Sequence, residues 1–131
     1  MGFKKELSSG AVLEFDLAPF LEAEELFQVF TGELKPIKLE KDTHVVTMYK
    51  DAIFTLMSSK NFRAAIWVCL KRALYNGQRV TEKTFEPQSA REDYLACLYE
   101  VAKENLAPFT KDLYARFGHI FQEGISEPTQ I

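Results

Sequence analysis

Apolar positions in this chain change their spacing from one stretch to the next, and each spacing implies a different backbone. In "FKKELSSGAVLEFDL" a Ser-Ser-Gly break separates two short segments. The second of them alternates, with Leu13, Phe15 and Leu17 on one side and Val12, Glu14 and Asp16 on the other. That period of two predicts a half-buried β-hairpin over about residues 3–17. From Pro19 onward the spacing becomes helical. Phe20, Ala23, Phe27 and Phe30 form one stripe, Pro19 suits a first helical position and Gly32 suits a stop, so a helix is predicted over about 19–31. Asp42 caps a second helix, about 43–58, whose inward stripe is Val45, Tyr49, Ala52, Ile53 and Leu56, with Phe54 projecting away from it.

A third helix, about 60–75, carries Phe62, Ile66, Cys69, Leu70 and Ala73 inward and ends at Asn76-Gly77, a pair suited to a left-handed stop. Its run from Ala64 to Leu70 is apolar all round, which places it centrally or beneath a partner. Ser89 and Glu92 read as a capping box for a fourth helix over about 89–105, with Tyr94, Cys97, Leu98, Val101 and Ala102 on one face. Pro108 restricts the residue before it, so the pattern predicts a break there and a fifth helix over about 108–122, bearing Phe109, Leu113, Phe117 and Phe121. The tetrapeptide LAPF, at Leu17–Phe20 and again at Leu106–Phe109, reads as one way of starting a helix used twice, because no fixed period links the rest of the chain. The expected architecture is mostly α: a bundle of about five helices with a short N-terminal β-hairpin, in a single domain over about 1–122, followed by a flexible tail over about 123–131.

Composition agrees with a folded core, since 47% of the 131 residues are hydrophobic. No run is long enough to span a membrane and "MGFKKELSSG" has no signal-like apolar region, so a soluble intracellular chain is expected. Glu6 stands where a myristoylation motif wants Ser or Thr. Net charge is only −3, but it is unevenly placed. Glu6, Glu14, Asp16, Glu22, Glu24, Glu25 and Glu33 occur with no base among them, whereas Ala52 to Thr81 holds Lys60, Arg63, Lys71, Arg72 and Arg79 with no acid. Opposite charge blocks on one chain suit head-to-tail contacts between copies.

Candidate chemistry changes this picture little. Cys69 and Cys97 read as reduced core residues, and His44 and His119 each have one glutamate four positions away, Glu40 and Glu123, which is too few ligands for a metal site. No phosphate-cradling glycine loop, GxSxG or HExxH occurs, and the paired glutamates at 22, 24 and 25 and at 100 and 104 suit a solvated helix face. No catalytic residue, cofactor or metal is therefore expected. Arg63, Lys71 and Arg72 flank Trp67 in an arrangement that could meet nucleic acid, against which the overall charge weighs. Trp67 can either pack on another layer of the domain or anchor an interface. Eleven Phe, five Tyr and one Trp exceed what one inward stripe per helix needs, which points to apolar surface kept for partners, with Phe30, Phe54 and Trp67 as candidates.

Three stretches, "LSSGAVLEFDLAPFLEAEEL", "CLKRALYNGQRVTEKTFEP" and "REDYLACLYEVAKENLAPF", resemble the tail assembly chaperones of long-tailed, siphovirus-type bacteriophages, over roughly Leu7 to Phe121. The resemblance implies a non-catalytic helical protein, working as an oligomer in the host cell cytoplasm and absent from the mature virion. Its implied client is the tape measure protein, a very long helical chain. In that family a longer frameshifted product recruits the major tail protein, and the polar "SEPTQI" ending suits such a junction. Self-association is expected through Arg63, Trp67, Lys71 and Arg72 on one surface and Glu22, Glu24 and Glu25 on its acidic counterpart. The alternatives are a structural virion protein, either a head-tail joining or a tail terminator protein, and a small DNA-binding regulator using Lys60 to Arg79. Neither nucleic acid nor membrane is an expected partner of the chaperone.

Overall fold

The computed structural model describes residues 2–34 and 51–125, and side chains through residue 33 and from 51 to 111. In chain order the elements are β1 (Phe3–Glu6), β2 (Val12–Phe15), α1 (Phe20–Leu34), α2 (51–55) running into a 3₁₀ turn (Leu56–Ser58), and α3 (Lys60–Leu70). After these come β3 (Leu74–Tyr75), β4 (Gln78–Arg79), a second 3₁₀ turn (Glu82–Phe85) and α4 (Gln88–Ile125). The fold is mostly helical, as the pattern predicts, but it is neither five helices nor a lone hairpin. The first eight residues predicted for the second helix lie outside the described residues, as do positions 126–131 of the predicted tail.

The hairpin is the outer half of a four-stranded antiparallel sheet in the order β1-β2-β3-β4. Phe3 faces Phe15, Leu13 faces Tyr75, and Leu74 faces Arg79 across its rungs. The third helix is therefore shorter than its pattern predicts. It ends at Leu70, and Asn76-Gly77 serves as the two-residue turn of a second hairpin rather than as a helix stop. Asn76 (φ 51°) and Gly77 (φ 81°) both take the left-handed conformation, which a tight hairpin requires at both central positions and Asn-Gly supplies at least cost. Asn76 also binds Val12 in both directions: its N–H donates to the Val12 carbonyl (2.8 Å) and its Oδ1 accepts from the Val12 N–H (2.9 Å). The same dipeptide signals both structures, and only the neighbouring strand decides between them.

At the other end of the chain, the two helices predicted on either side of Pro108 are one, α4, which runs through Pro108 and past Gly124 to Ile125. Proline in a helix interior removes a donor and costs about 3 kcal/mol. The flanking turns offset that cost. Leu106 is fully buried, and the Phe109 ring stacks on Phe27 (5.0 Å between centroids, 14° between planes) and contacts Phe20 (6.2 Å). Fully burying a side chain such as Leu106 is worth about 1.5–3 kcal/mol, and the half-buried Phe109 adds part of such an amount. Asn105, itself buried, donates to the Val101 carbonyl (2.9 Å) and accepts from the Ala18 N–H (2.8 Å). The two LAPF copies thus meet: the first leads into α1, the second lies inside α4, and only the first starts a helix. Ser89 is likewise already inside α4, and the capping box that forms is at Thr81 and Thr84, opening the second 3₁₀ turn.

One core joins these parts. Leu13 and Phe15 from the sheet, Leu26 and Phe30 from α1, Ile53 and Leu56, Phe62, Ile66 and Leu70 from α3, and Leu98, Val101 and Leu106 from α4 are all buried. Two polar links tie the sheet to α4. Lys5 donates to Glu104 (2.7 Å), and Asp93, 2% exposed, accepts from Tyr75 Oη (2.7 Å) and from Ser9 Oγ.

Two measurements check these assignments. Pro108→Ala should raise unfolding stability by about 1–3 kcal/mol in urea titration, because it removes a mid-helix defect; a loss of stability would mean that Pro108 opens a helix instead. Asp93→Ala should cost about 2–4 kcal/mol, because it leaves the two hydroxyls of Ser9 and Tyr75 without their buried acceptor.

Candidate interaction surface

The expected contact residues fall into two groups once folded, those bonded inside the chain and those facing outward. Glu22, in the first turn of α1, and Arg72, just past α3, form a two-pronged ion pair, with one prong from Nη2 to Oε2 at 2.7 Å and the other from Nη1 to Oε1. The guanidinium holds the Glu22 carboxyl below its ordinary range, and that carboxylate in turn raises Arg72. At the far end of the same helices, Ser59 caps α3 by accepting from the Phe62 N–H (3.2 Å) and donates its own hydroxyl proton to Glu33 (2.5 Å). These two links make α1 and α3 antiparallel neighbours.

Arg63 and Trp67 are also bonded internally. Arg63 Nη1 donates to the Met57 carbonyl (2.7 Å), closing the first 3₁₀ turn onto α3. Trp67 donates from Nε1 to Tyr94 Oη (2.8 Å) and meets Phe85 edge-on at 6.0 Å. Its ring packs on the second 3₁₀ turn and on α4, a layer of the same domain. Glu25 and Lys71 are exposed and Glu24 half-exposed, and none of the three takes part in an ion pair among the described residues.

Most aromatic side chains among the described residues take part in ring-on-ring contacts between elements. Phe30, 3% exposed, packs on Phe62 (5.7 Å), and Phe54, although 46% exposed, stacks flat on Tyr99 (4.6 Å, 6°). What reaches solvent instead is an apolar cluster at the start of α1: Leu17 at 48%, Phe20 at 65% and Leu21 at 73% exposure. The sequence pattern puts Phe20 on the inward stripe of the helix and Leu17 on the same side of the hairpin as Leu13 and Phe15, and Leu21 on neither; Leu13 and Phe15 are buried, but Leu17 follows the last strand residue and turns outward. The available signal was Leu21 itself, a large aliphatic residue on the otherwise polar stripe shared with Glu25 and Gln28. Behind the cluster a groove of about 580 Å³ runs between Leu17, Pro19 and Leu74 with Arg72 and Arg79 at its edge.

Concave polar space lies elsewhere. A cleft of about 660 Å³ opens between the first hairpin turn, the Asn76-Gly77 turn and the start of α4, with Ser9, Lys83, Thr84 and Ser89 on its walls. Two of its lining residues, Ser9 and Tyr75, donate their hydroxyls to the buried Asp93, which acts as a clamp; burial, ahead of the neighbouring carboxylate, pushes the Tyr75 phenol up. Among the described residues no three His, Cys, Asp or Glu side chains converge as metal ligands, and no helix is long and apolar enough to cross a membrane. The side chains of His44 and His119 lie outside the described set. Comparison with family models, with curated proteins and with solved structures finds no match for this chain.

Both cysteines are free and buried, and burial lifts Cys69 from 9.0 to about 11 and Cys97 from 9.0 to about 12. A thiol whose folded value is raised stabilises the fold fully below its unfolded value, and that stabilisation is lost as pH rises toward the folded one. Urea midpoints should accordingly hold up to about pH 8.5 and fall between about pH 9 and 11. Cys69→Ala/Cys97→Ala should flatten that fall, and an unchanged slope in the double variant would assign it to other groups.

Proposed function

We propose that the chain is a tail assembly chaperone of long-tailed bacteriophages, a non-catalytic oligomeric holdase. It binds the tape measure protein in the host cell cytoplasm and leaves before the virion is complete. The observation that carries this reading is the exposed apolar cluster of Leu17, Phe20 and Leu21, anchored where Phe20 touches the Phe109 ring that stacks on Phe27. The resemblance of the three quoted stretches supplies the client. A long amphipathic helix awaiting assembly exposes an apolar stripe, and its side chains three and four positions apart need a complementary apolar surface. The cluster is small, so a single copy binds weakly, and retention of a long client comes from many copies along it. The family's longer product would bring the major tail protein to the same complex.

The test is co-expression with the tape measure protein of the same phage. That client should stay soluble with the wild-type chain, and Leu17→Ser/Leu21→Ser, which leaves the Phe20–Phe109 contact in place, should return most of it to the pellet while the variant itself remains folded by circular dichroism. A client that precipitates beside the wild-type chain, or is rescued equally by the double variant, would overturn the proposal. Mass spectrometry of purified particles should find no trace of the chain; stoichiometric presence would favour the structural virion protein instead.

A further inference from the structure

A second surface, beside the apolar cluster, has a chemistry that matches itself. Between the antiparallel helices α1 and α3 runs a shallow groove of about 450 Å³, lined by Glu25, Val29 and Gly32 on one side and by Asn61, Ala64 and Val68 on the other. Its floor is apolar and close to the helix backbones: Val68 is 38% exposed, Ala64 is exposed, and a side chain added at Gly32 would meet nothing within 4 Å. Charge divides sharply across it. The α1 bank carries Glu25 and Glu33, the α3 bank carries Lys60 and Lys71, and Lys60, Ala64, Val68 and Lys71 share one outward stripe of α3. Glu25, Lys60 and Lys71 are in no ion pair among the described residues.

We infer that this groove is where a second copy of the chain docks, α1 of one copy lying over α3 of the other about a two-fold axis that runs along the groove. The symmetry decides the occupant. Rotation about that axis exchanges the two banks while keeping each residue's height along them, so acidic α1 of one copy faces basic α3 of its partner from end to end. Glu25, near the start of α1, then stands opposite Lys71 at the end of α3, and Glu33 opposite Lys60. Each contact occurs twice, as in any isologous pair. An axis lying across the groove would instead set acid on acid and base on base. The contact helix of α3 is 11 residues long, about 16 Å, so the interface is small and the dimer forms and separates with concentration.

The same rotation leaves the Leu17, Phe20 and Leu21 clusters of both copies at one end of the dimer. For the chaperone reading, on which this consequence rests, one client helix could then touch two clusters at once. The pairing itself stands apart from that reading, because it concerns the chain alone.

Sedimentation velocity on the purified full-length chain tests it without any client. The wild type should pass from monomer to dimer as concentration rises through the micromolar range, with weaker association in high salt. Glu25→Lys alone and Lys71→Glu alone should each weaken the dimer by about tenfold or more, because each places two like-charge pairs in the interface. Mixing these two variants in equal amounts should restore dimer to near the wild-type level, because every Glu25–Lys71 contact in the mixed species again joins opposite charges. Circular dichroism confirms that each variant folds. A wild type that stays monomeric at about 200 µM, or variants whose mixture associates no better than either alone, would overturn the inference. Failure of client rescue with an intact dimer would overturn the chaperone reading and leave the pairing standing.

Discussion

The packing of Phe109 against Phe27 and Phe20 governs most of what is distinctive in this structure. It joins the middle of α4 to the first two turns of α1, and beside it the Asn105 amide accepts the Ala18 N–H. A proline in the middle of a helix is ordinarily a hinge, and α4 continues through Pro108 because both flanking turns are pinned before and after the missing donor. The same contact fixes where α1 begins. Held there, Phe20 touches Phe109 and still exposes most of its surface, and Leu17 and Leu21 on either side are exposed with it.

The elements that could be read from the sequence were those whose signal is local. The hairpin within residues 3–15 and the existence of α1 follow from spacing, because an alternating and a three-to-four pattern imply different backbones, but the stop predicted at Gly32 is not used and α1 runs on to Leu34. Where the reading failed, a local signal carried two meanings and a distant residue chose between them. Asn76-Gly77 ends a helix or turns a hairpin, and Val12 settles it by pairing with Asn76; Pro108 breaks a helix or is carried inside one, and the Phe20–Phe27–Phe109 stack settles that. Both deciding contacts join residues more than sixty positions apart, a separation that no window of pattern can span.

The candidate contact surface is legible to a similar degree and for a similar reason. Blocks of acid and base are visible in the sequence, but which charges cancel within one chain depends on how the helices pair. Antiparallel packing of α1 and α3 neutralises Glu22 with Arg72 and leaves Glu25 and Lys71, nearby on the same two helices, facing out. An exposed pair such as Glu22–Arg72 adds little stability in water. Its greater effect is orientational: it fixes the relative height of the two helices, and so aligns the acidic bank of the groove with the basic one.

The aromatic richness of the chain has a different meaning once folded. Rings that outnumber the needs of single helical stripes are used between elements, as in Phe30 on Phe62, Trp67 on Phe85 and Tyr94, and Phe54 on Tyr99. Stacked and edge-on pairs are worth about 0.5–1.5 kcal/mol beyond the area they bury, which suits a small domain whose longest helix carries an internal proline. The large apolar side chains exposed among the described residues are mainly aliphatic, Leu17, Leu21, Val68 and Leu95 together with Phe20 and Phe54. Aliphatic patches of this size have no deep pocket and few directional bonds, so they accept many apolar sequences with low affinity rather than one sequence with high affinity. Strength must then come from number, and the pairing inferred for one face, with the leucines presented on another, would satisfy both requirements at once.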